Sequence, residues 1–89
     1  MSGIWRLKTL PRFFNAVLEG EKTFEVRRED DKTFSVGDIL YLREYLDDED
    51  VFTGRGITVE VRYIMRESKF GVTPGFCVMA VRKLGSGLM

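Results

Sequence analysis

Gly20-Glu21-Lys22-Thr23-Phe24-Glu25-Val26-Arg27-Arg28 is the stretch on which the fold turns. A glycine ends the segment before it, and a run of alternating side chains follows. Side chains along a strand point to opposite faces in turn. Phe24 and Val26 therefore share one face, and Thr23, Glu25 and Arg27 the other. Lys22 stands at the start of the strand, where its flexible stem can swing over the polar face. Two cations and one carboxylate on a short strand form a candidate recognition site for a polar, anionic ligand.

Upstream, Ile4 to Thr9 alternates Trp5 and Leu7 with Arg6 and Lys8, the pattern of a half-buried strand. Pro11 suits a first helical position, and Leu10, Phe13, Phe14, Val17 and Leu18 follow the spacing of an amphipathic helix. Gly20 fits the position just past the helix end, where a left-handed backbone costs least.

Downstream, Glu29 to Lys32 is a polar loop and Val36-Gly37-Asp38 a turn. The apolar start of Ile39 to Tyr45 predicts a central strand buried on both sides, with Tyr41 in the core. Leu46 to Gly56, with Asp47-Asp48-Glu49-Asp50, predicts a solvated hairpin connection that leaves Arg55 on an exposed turn. Ile57 to Arg66 places Ile57, Val59, Val61, Tyr63 and Met65 on one face. Ser68 to Gly75 is a connection, Phe76 to Lys83 a last strand and 85–89 a flexible tail. One helix and about five strands within a single domain over 1–84 give a mainly β (α+β) protein. A closed or nearly closed barrel is the economical arrangement, because closure removes exposed sheet edges.

Composition narrows the chemistry. The 89 residues carry 14 Lys and Arg against 14 Asp and Glu, so a ligand cannot be held by bulk charge. With no histidine and one cysteine, the chain excludes a histidine-based triad, imidazole zinc sites and a thiolate cluster. Cys77 reads as a small core residue. Four consecutive acids converge poorly on a cation and lack the spacing of a calcium loop. No metal or cofactor is expected. No apolar run approaches the length of a membrane span, and the N-terminal residues lack a signal-peptide pattern, so a cytoplasmic protein, monomeric by default, is expected.

Gly20, Lys22, Glu25 and Arg27 together match the G-x-K-x-x-E-x-R pattern after the first helix of the ASCH domain, a branch of the PUA-like barrels. The chain most closely resembles the group of small bacterial and phage proteins known as DUF3850. The resemblance runs through Leu7-Lys8-x-Leu-Pro11, Phe14-x-Ala-Val17, Phe34-x-Val-Gly-Asp-Ile-Leu40, Thr53-Gly-Arg-x-Ile-Thr58 and Gly75-Phe-Cys-Val-Met79. Two positions depart from that group: Trp5 stands where histidine is common, and Glu29 near a common asparagine.

The resemblance implies a five- to six-stranded PUA-like barrel with its helix after the first strand, and a cleft between helix and barrel. Such folds commonly bind RNA or read modified bases. Some ASCH proteins are amidohydrolases of acylated cytidine that use a lysine, a threonine and a glutamate. Lys22 matches the lysine. Glu25 stands where the threonine falls, and Thr23 is offset from it by one strand repeat.

The leading expectation is an RNA- or nucleotide-binding module. Lys22 and Arg27 would meet anionic or carbonyl oxygens and Glu25 would orient the ligand, with Lys8 and Arg6 at the rim. Trp5 and Tyr45 would offer stacking surfaces. One alternative is an amidohydrolase of modified nucleosides with Lys22, Glu25 and Thr23 as its catalytic residues. Another is a protein-interaction adaptor working through the acidic loop. Lys22, Glu25 and Arg27 suit equally an ion-pair network that pins the helix end to the barrel.

Overall fold

Five stretches of alternating or apolar residues form the strands of one curled sheet, and a short helix lies across its open side. The computed structural model describes residues 3–88. Along the chain run β1 (Ile4–Thr9), α1 (Pro11–Leu18), β2 (Phe24–Arg28), β3 (Ile39–Leu46), β4 (Val51–Met65), a 3-10 turn (Ser68–Phe70) and β5 (Phe76–Leu88). The strand order is β1-β3-β4-β5-β2. Only the β1–β3 pairing is parallel. The sheet curls into a half-barrel with β1 and β2 as its two edges.

The concave side holds the core. Leu7, Leu40, Leu42, Ile57, Val59, Val61, Cys77 and Met79 project into it, and Phe14 and Val17 of α1 cover them. The helix is too short to be stable alone and is held by burying that face. Burying the core thiol pushes Cys77 up to about 11, the nearby Glu29 carboxylate adding to the effect, so it is an inert core group.

Trp5 packs edge-on against Phe34, with ring centroids 5.4 Å apart. Its indole Nε1 donates to Asp38 Oδ2 at 2.9 Å, and the Gly3 and Ser35 amides donate to the same carboxylate at 2.6 and 2.8 Å. Burial acts to raise the Asp38 pKa, but these three donors outweigh it and hold the group below its ordinary value.

Several sequence boundaries are corrected. β3 is not buried on both sides: Leu40, Leu42 and Glu44 face inward, while Tyr41 and Arg43 are on the outer face. The connection expected over 46–56 shrinks to a turn at Asp47–Asp50, because Val51 and Phe52 already pair with Leu46 and Tyr45. Asp50 adopts a left-handed conformation in that turn, which aspartate tolerates better than most residues. A register shift between Val61 and Tyr63 reverses the alternation, so Tyr63 is exposed and Ile64 packs on the core. The last strand does not stop before a loose tail. Gly85 to Leu88 continue β5 against Thr58 to Arg55, because β4 is long enough to pair with them. Met89 lies outside the described residues.

Candidate functional site

The turn after α1 sets the site. Gly20, at φ 82°, reverses the chain so that the Glu21 and Lys22 amides both donate back to Ala16 C=O at 3.0 Å. That fixes Lys22 beside the first residue of β2. The faces of β2 are then opposite to those of an ordinary half-buried strand. Phe24 and Val26 are exposed, and Glu25 is turned inward at 2% exposure.

Glu25 is saturated. Its Oε2 accepts from Lys22 Nζ at 2.6 Å, and its Oε1 accepts from Arg27 Nε at 3.2 Å and Nη2 at 2.9 Å. Arg27 also donates to Lys8 C=O at 3.0 Å and to Thr9 Oγ1 at 3.2 Å. Lys8 and Thr9 belong to β1, the opposite edge of the sheet. One guanidinium thus bridges the seam where no strand ladder closes the barrel. Its planar fork places two parallel donors on Glu25 Oε1 while its remaining nitrogen reaches the backbone of β1.

Beside this triad lies a cleft of about 440 Å³ along the free edge of β2. Lys22, Glu25 and Arg27 contribute its polar side, and Leu10, Phe13, Phe24 and Val26 its apolar side. Unused donors remain. A guanidinium has five N–H groups and an ammonium three. Arg27 commits four of its five, and Lys22 two of its three, the second going to Phe24 C=O at 2.7 Å.

The backbone adds more. Thr23 C=O accepts from Val81, and Glu29 N–H donates to Gly75, so odd-numbered residues of β2 address β5. By the alternation of an antiparallel ladder, the Val26 amide and carbonyl face the free edge. The cleft therefore offers a donor and an acceptor from one peptide strand, two spare cationic N–H groups and two phenylalanine rings. Its lining carries a net positive charge, with Lys8, Lys22 and Arg27 against the single carboxylate of Glu25.

The residues singled out in the sequence separate into three places. Lys22, Glu25, Arg27 and Lys8 meet at the cleft. Trp5 is at the far start of β1, locked to Asp38 and Phe34, and does not line it. Arg6 and Tyr45 lie on the outer face of the sheet, against Tyr41 and Phe52 respectively. Thr23 is exposed and lies outside the cleft lining.

Leu10, Phe13 and Thr9 line the cleft without having been singled out. Phe13 was counted in the helix's apolar stripe, yet it is 42% exposed. Its signal in the sequence is the crowding of Phe13 beside Phe14, since one short helix face cannot bury both rings.

Arg55 is likewise not a free turn residue. It donates to Glu44 Oε1 at 2.8 Å and Oε2 at 3.0 Å, reaches Asn15 Oδ1 at 3.0 Å, and lies over the Phe14 ring. Glu44 is buried, and the Arg55 guanidinium, outweighing the effect of burial, holds its carboxyl below the ordinary range. A register shift opposite Glu44 brings both Thr53 and Arg55 to it.

A protein of Escherichia phage P2, described as an uncharacterized 12.9 kDa protein in the GpA 3' region, is 36% identical over 61 residues, or 68% of this chain. The match covers 53% of the phage protein, so the chain spans about half the length of that relative. The family model that matches is described as a domain of unknown function, DUF3850, and it aligns with residues 4–81. That span includes every strand pairing from β1 to Val81, α1 and the Lys22–Glu25–Arg27 seam, and the chain belongs to the DUF3850 family.

Proposed function

We propose that the protein is an RNA- or nucleotide-binding module of the cytoplasm, taking a base into the cleft along β2. The observation that carries this reading is the pairing of apolar rings with directional polar groups in one hollow. Phe13 and Phe24 flank Lys22, whose Nζ lies 5.8 and 5.0 Å from their ring centroids. A nucleobase has apolar faces and an edge of donors and acceptors. The Val26 peptide and the spare N–H groups of Lys22 and Arg27 suit that edge, and the net positive charge suits a neighbouring phosphate.

Glu25 enters this reading as an anchor. Both its oxygens are occupied and it is buried, so it orients Lys22 and Arg27 and does not itself touch ligand. The amidohydrolase alternative has less support. Lys22 donates into two acceptors with no free lone pair aimed at the cleft, and Thr23 is outside it. The adaptor alternative keeps the exposed Asp47–Asp50 turn but has no complementary surface to argue from.

Calorimetric titration with the four ribonucleoside monophosphates tests the proposal. Binding should weaken by about tenfold or more in Lys22→Ala, the range of a charge-assisted hydrogen bond. Phe13→Ala, which spares the core, should weaken it by about fivefold or more through lost stacking. Unchanged affinity in both variants, or no binding by the parent, would refute base recognition in this cleft.

A further inference from the structure

The outer face of β1 and β3 carries a second set of residues that the cleft does not use. In neighbouring rows of the sheet, Arg6 lies beside Tyr41 and Lys8 beside Arg43, and one row further Tyr45 lies beside Phe52. Each cation rests on a ring. The Arg6 guanidinium is 5.8 Å from the Tyr41 centroid, Lys8 Nζ is 4.5 Å from Tyr45, and the Arg43 guanidinium is 3.8 Å from Phe52.

Among the described residues none of these three cations has a carboxylate partner, whereas Lys22, Arg27, Arg28, Lys32, Arg55, Arg62, Arg66 and Arg82 all do. Arg12, Lys69 and Lys83 also lack a carboxylate partner but are scattered over α1, the 3-10 turn and β5, whereas Arg6, Lys8 and Arg43 share one face of β1 and β3. The acids at its margins are engaged or set apart. Glu60 accepts from Arg62 and Arg82, and Asp50 accepts from the Tyr45 hydroxyl. A hollow of about 560 Å³ lies between Arg6, Tyr41, Arg43 and Thr58. The floor beyond Arg43 is Gly56, which has no side chain to obstruct a flat ligand.

We infer that this face is a platform for single-stranded nucleic acid. Alternating rings and unpaired cations satisfy the two requirements of such a ligand, a π-surface for bases and positive charge for the backbone. A duplex presents its bases stacked inside and cannot use the rings. From Tyr41 to Tyr45 the platform runs about 13 Å along β3, enough for a short stretch of strand, and the acidic turn at Asp47–Asp50 closes that end by repulsion. The inference does not rest on base recognition in the cleft; Lys8 is the single residue common to both surfaces.

Fluorescence anisotropy with labelled U10 RNA, a ten-base-pair duplex and UMP distinguishes the two surfaces. The parent should bind U10 more tightly than the duplex. Neutralising three backbone charges gives a slope of about −2 in log affinity against log salt concentration. Arg43→Ala should make that slope shallower by about 0.7. Tyr41→Ala should weaken U10 binding by about 5- to 150-fold, the range of a lost base stack.

Both side chains are on the outer face, and a circular-dichroism melt checks that the fold is retained. Should Tyr41→Ala lower the melting temperature, Arg43→Glu serves in its place and should abolish U10 binding. Lys22→Ala should weaken UMP binding and Arg43→Ala should leave it unchanged, so a failed cleft and a failed platform give different patterns. The platform is overturned by any of four results: no U10 binding by the parent, equal or tighter binding of duplex, unchanged U10 affinity in Arg43→Glu, or binding of phosphatidylserine vesicles in place of U10.

Discussion

Among the described residues no side chain donates more hydrogen bonds than Arg27. It saturates one oxygen of a buried carboxylate and reaches two groups on the opposite sheet edge. Lys22 makes only one bond to that carboxylate. Removing one partner of a buried pair leaves a charge that has lost its solvation, at a cost of about 3–5 kcal/mol. Arg27 is partly open to solvent, which reduces the figure. Arg27→Ala should therefore destabilise the protein by about 2–4 kcal/mol, and Lys22→Ala by about 1–2 kcal/mol, since Lys22 gives up a single bond to Glu25. Urea denaturation of the two variants measures the difference; equal losses would mean that the seam is not held by Arg27.

The triad was legible at this scale because strand alternation alone puts Glu25 and Arg27 on one face. The direction of that face was not. Period-2 reasoning groups Phe24 with Val26 without saying which group faces inward, and β2 is an edge strand whose inner side is occupied by the carboxylate–arginine clamp. Trp5 lies away from the cleft for a related reason: its ring meets an acceptor, Asp38, 33 residues away, and no local pattern reveals such a partner.

At the scale of elements, turns and bulges decide what propensity cannot. The five strands and the helix were all foreseeable from alternation and the Leu10-to-Leu18 spacing. The length of β4 was not, because Gly54 and Gly56 read as turn residues in a string. In space, Gly54 takes φ 93° within an irregularity of a continuing strand, while Asp50 closes the real turn. The same irregularity brings Arg55 to Glu44 and α1, linking the β3–β4 hairpin to the helix.

The joint between β1 and the start of β3 depends on Asp38. Asp38→Ala leaves the Gly3, Ser35 and Trp5 donors without their acceptor, and the loss should be about 3 kcal/mol or more. Trp5→Phe keeps an aromatic ring against Phe34 and removes one donor, and should cost about 1–2 kcal/mol. Comparing both variants with the parent by thermal melts tests the ordering. A Trp5→Phe loss as large as that of Asp38→Ala would transfer the weight from the hydrogen-bonded carboxylate to the ring.

For the whole molecule, three ion or hydrogen-bond clusters at different places share one pH signature. Asp38 is held down by its three donors against the opposing effect of burial. Glu44 is held down by Arg55, and Glu29 by Arg66, whose guanidinium spans both Glu29 oxygens at 2.7 and 3.0 Å. The sign follows from linkage. A carboxyl whose folded pKa lies below its unfolded value binds its proton more readily in the unfolded chain, so acid favours unfolding. Stability from these groups is complete above their ordinary values, 4.5 for Glu29 and Glu44 and 3.8 for Asp38, and is lost as pH falls through the depressed folded values.

With no histidine in the chain, no side chain with an ordinary pKa near neutrality blurs this window. Trp5 is the single tryptophan and is part of the folded core, so its emission reports unfolding directly. The urea midpoint followed by that emission should be level from pH 7 to about 5.5 and fall steeply below about 4.5. Glu44→Gln keeps one carbonyl acceptor for Arg55 and removes one of the three titrating groups. It should lower the midpoint at pH 7 and make the acid limb shallower, so that variant and parent converge near pH 3. A parent that loses stability between pH 7 and 6, or a variant whose acid limb is as steep as the parent's, would show that these paired carboxylates do not govern the stability of the barrel.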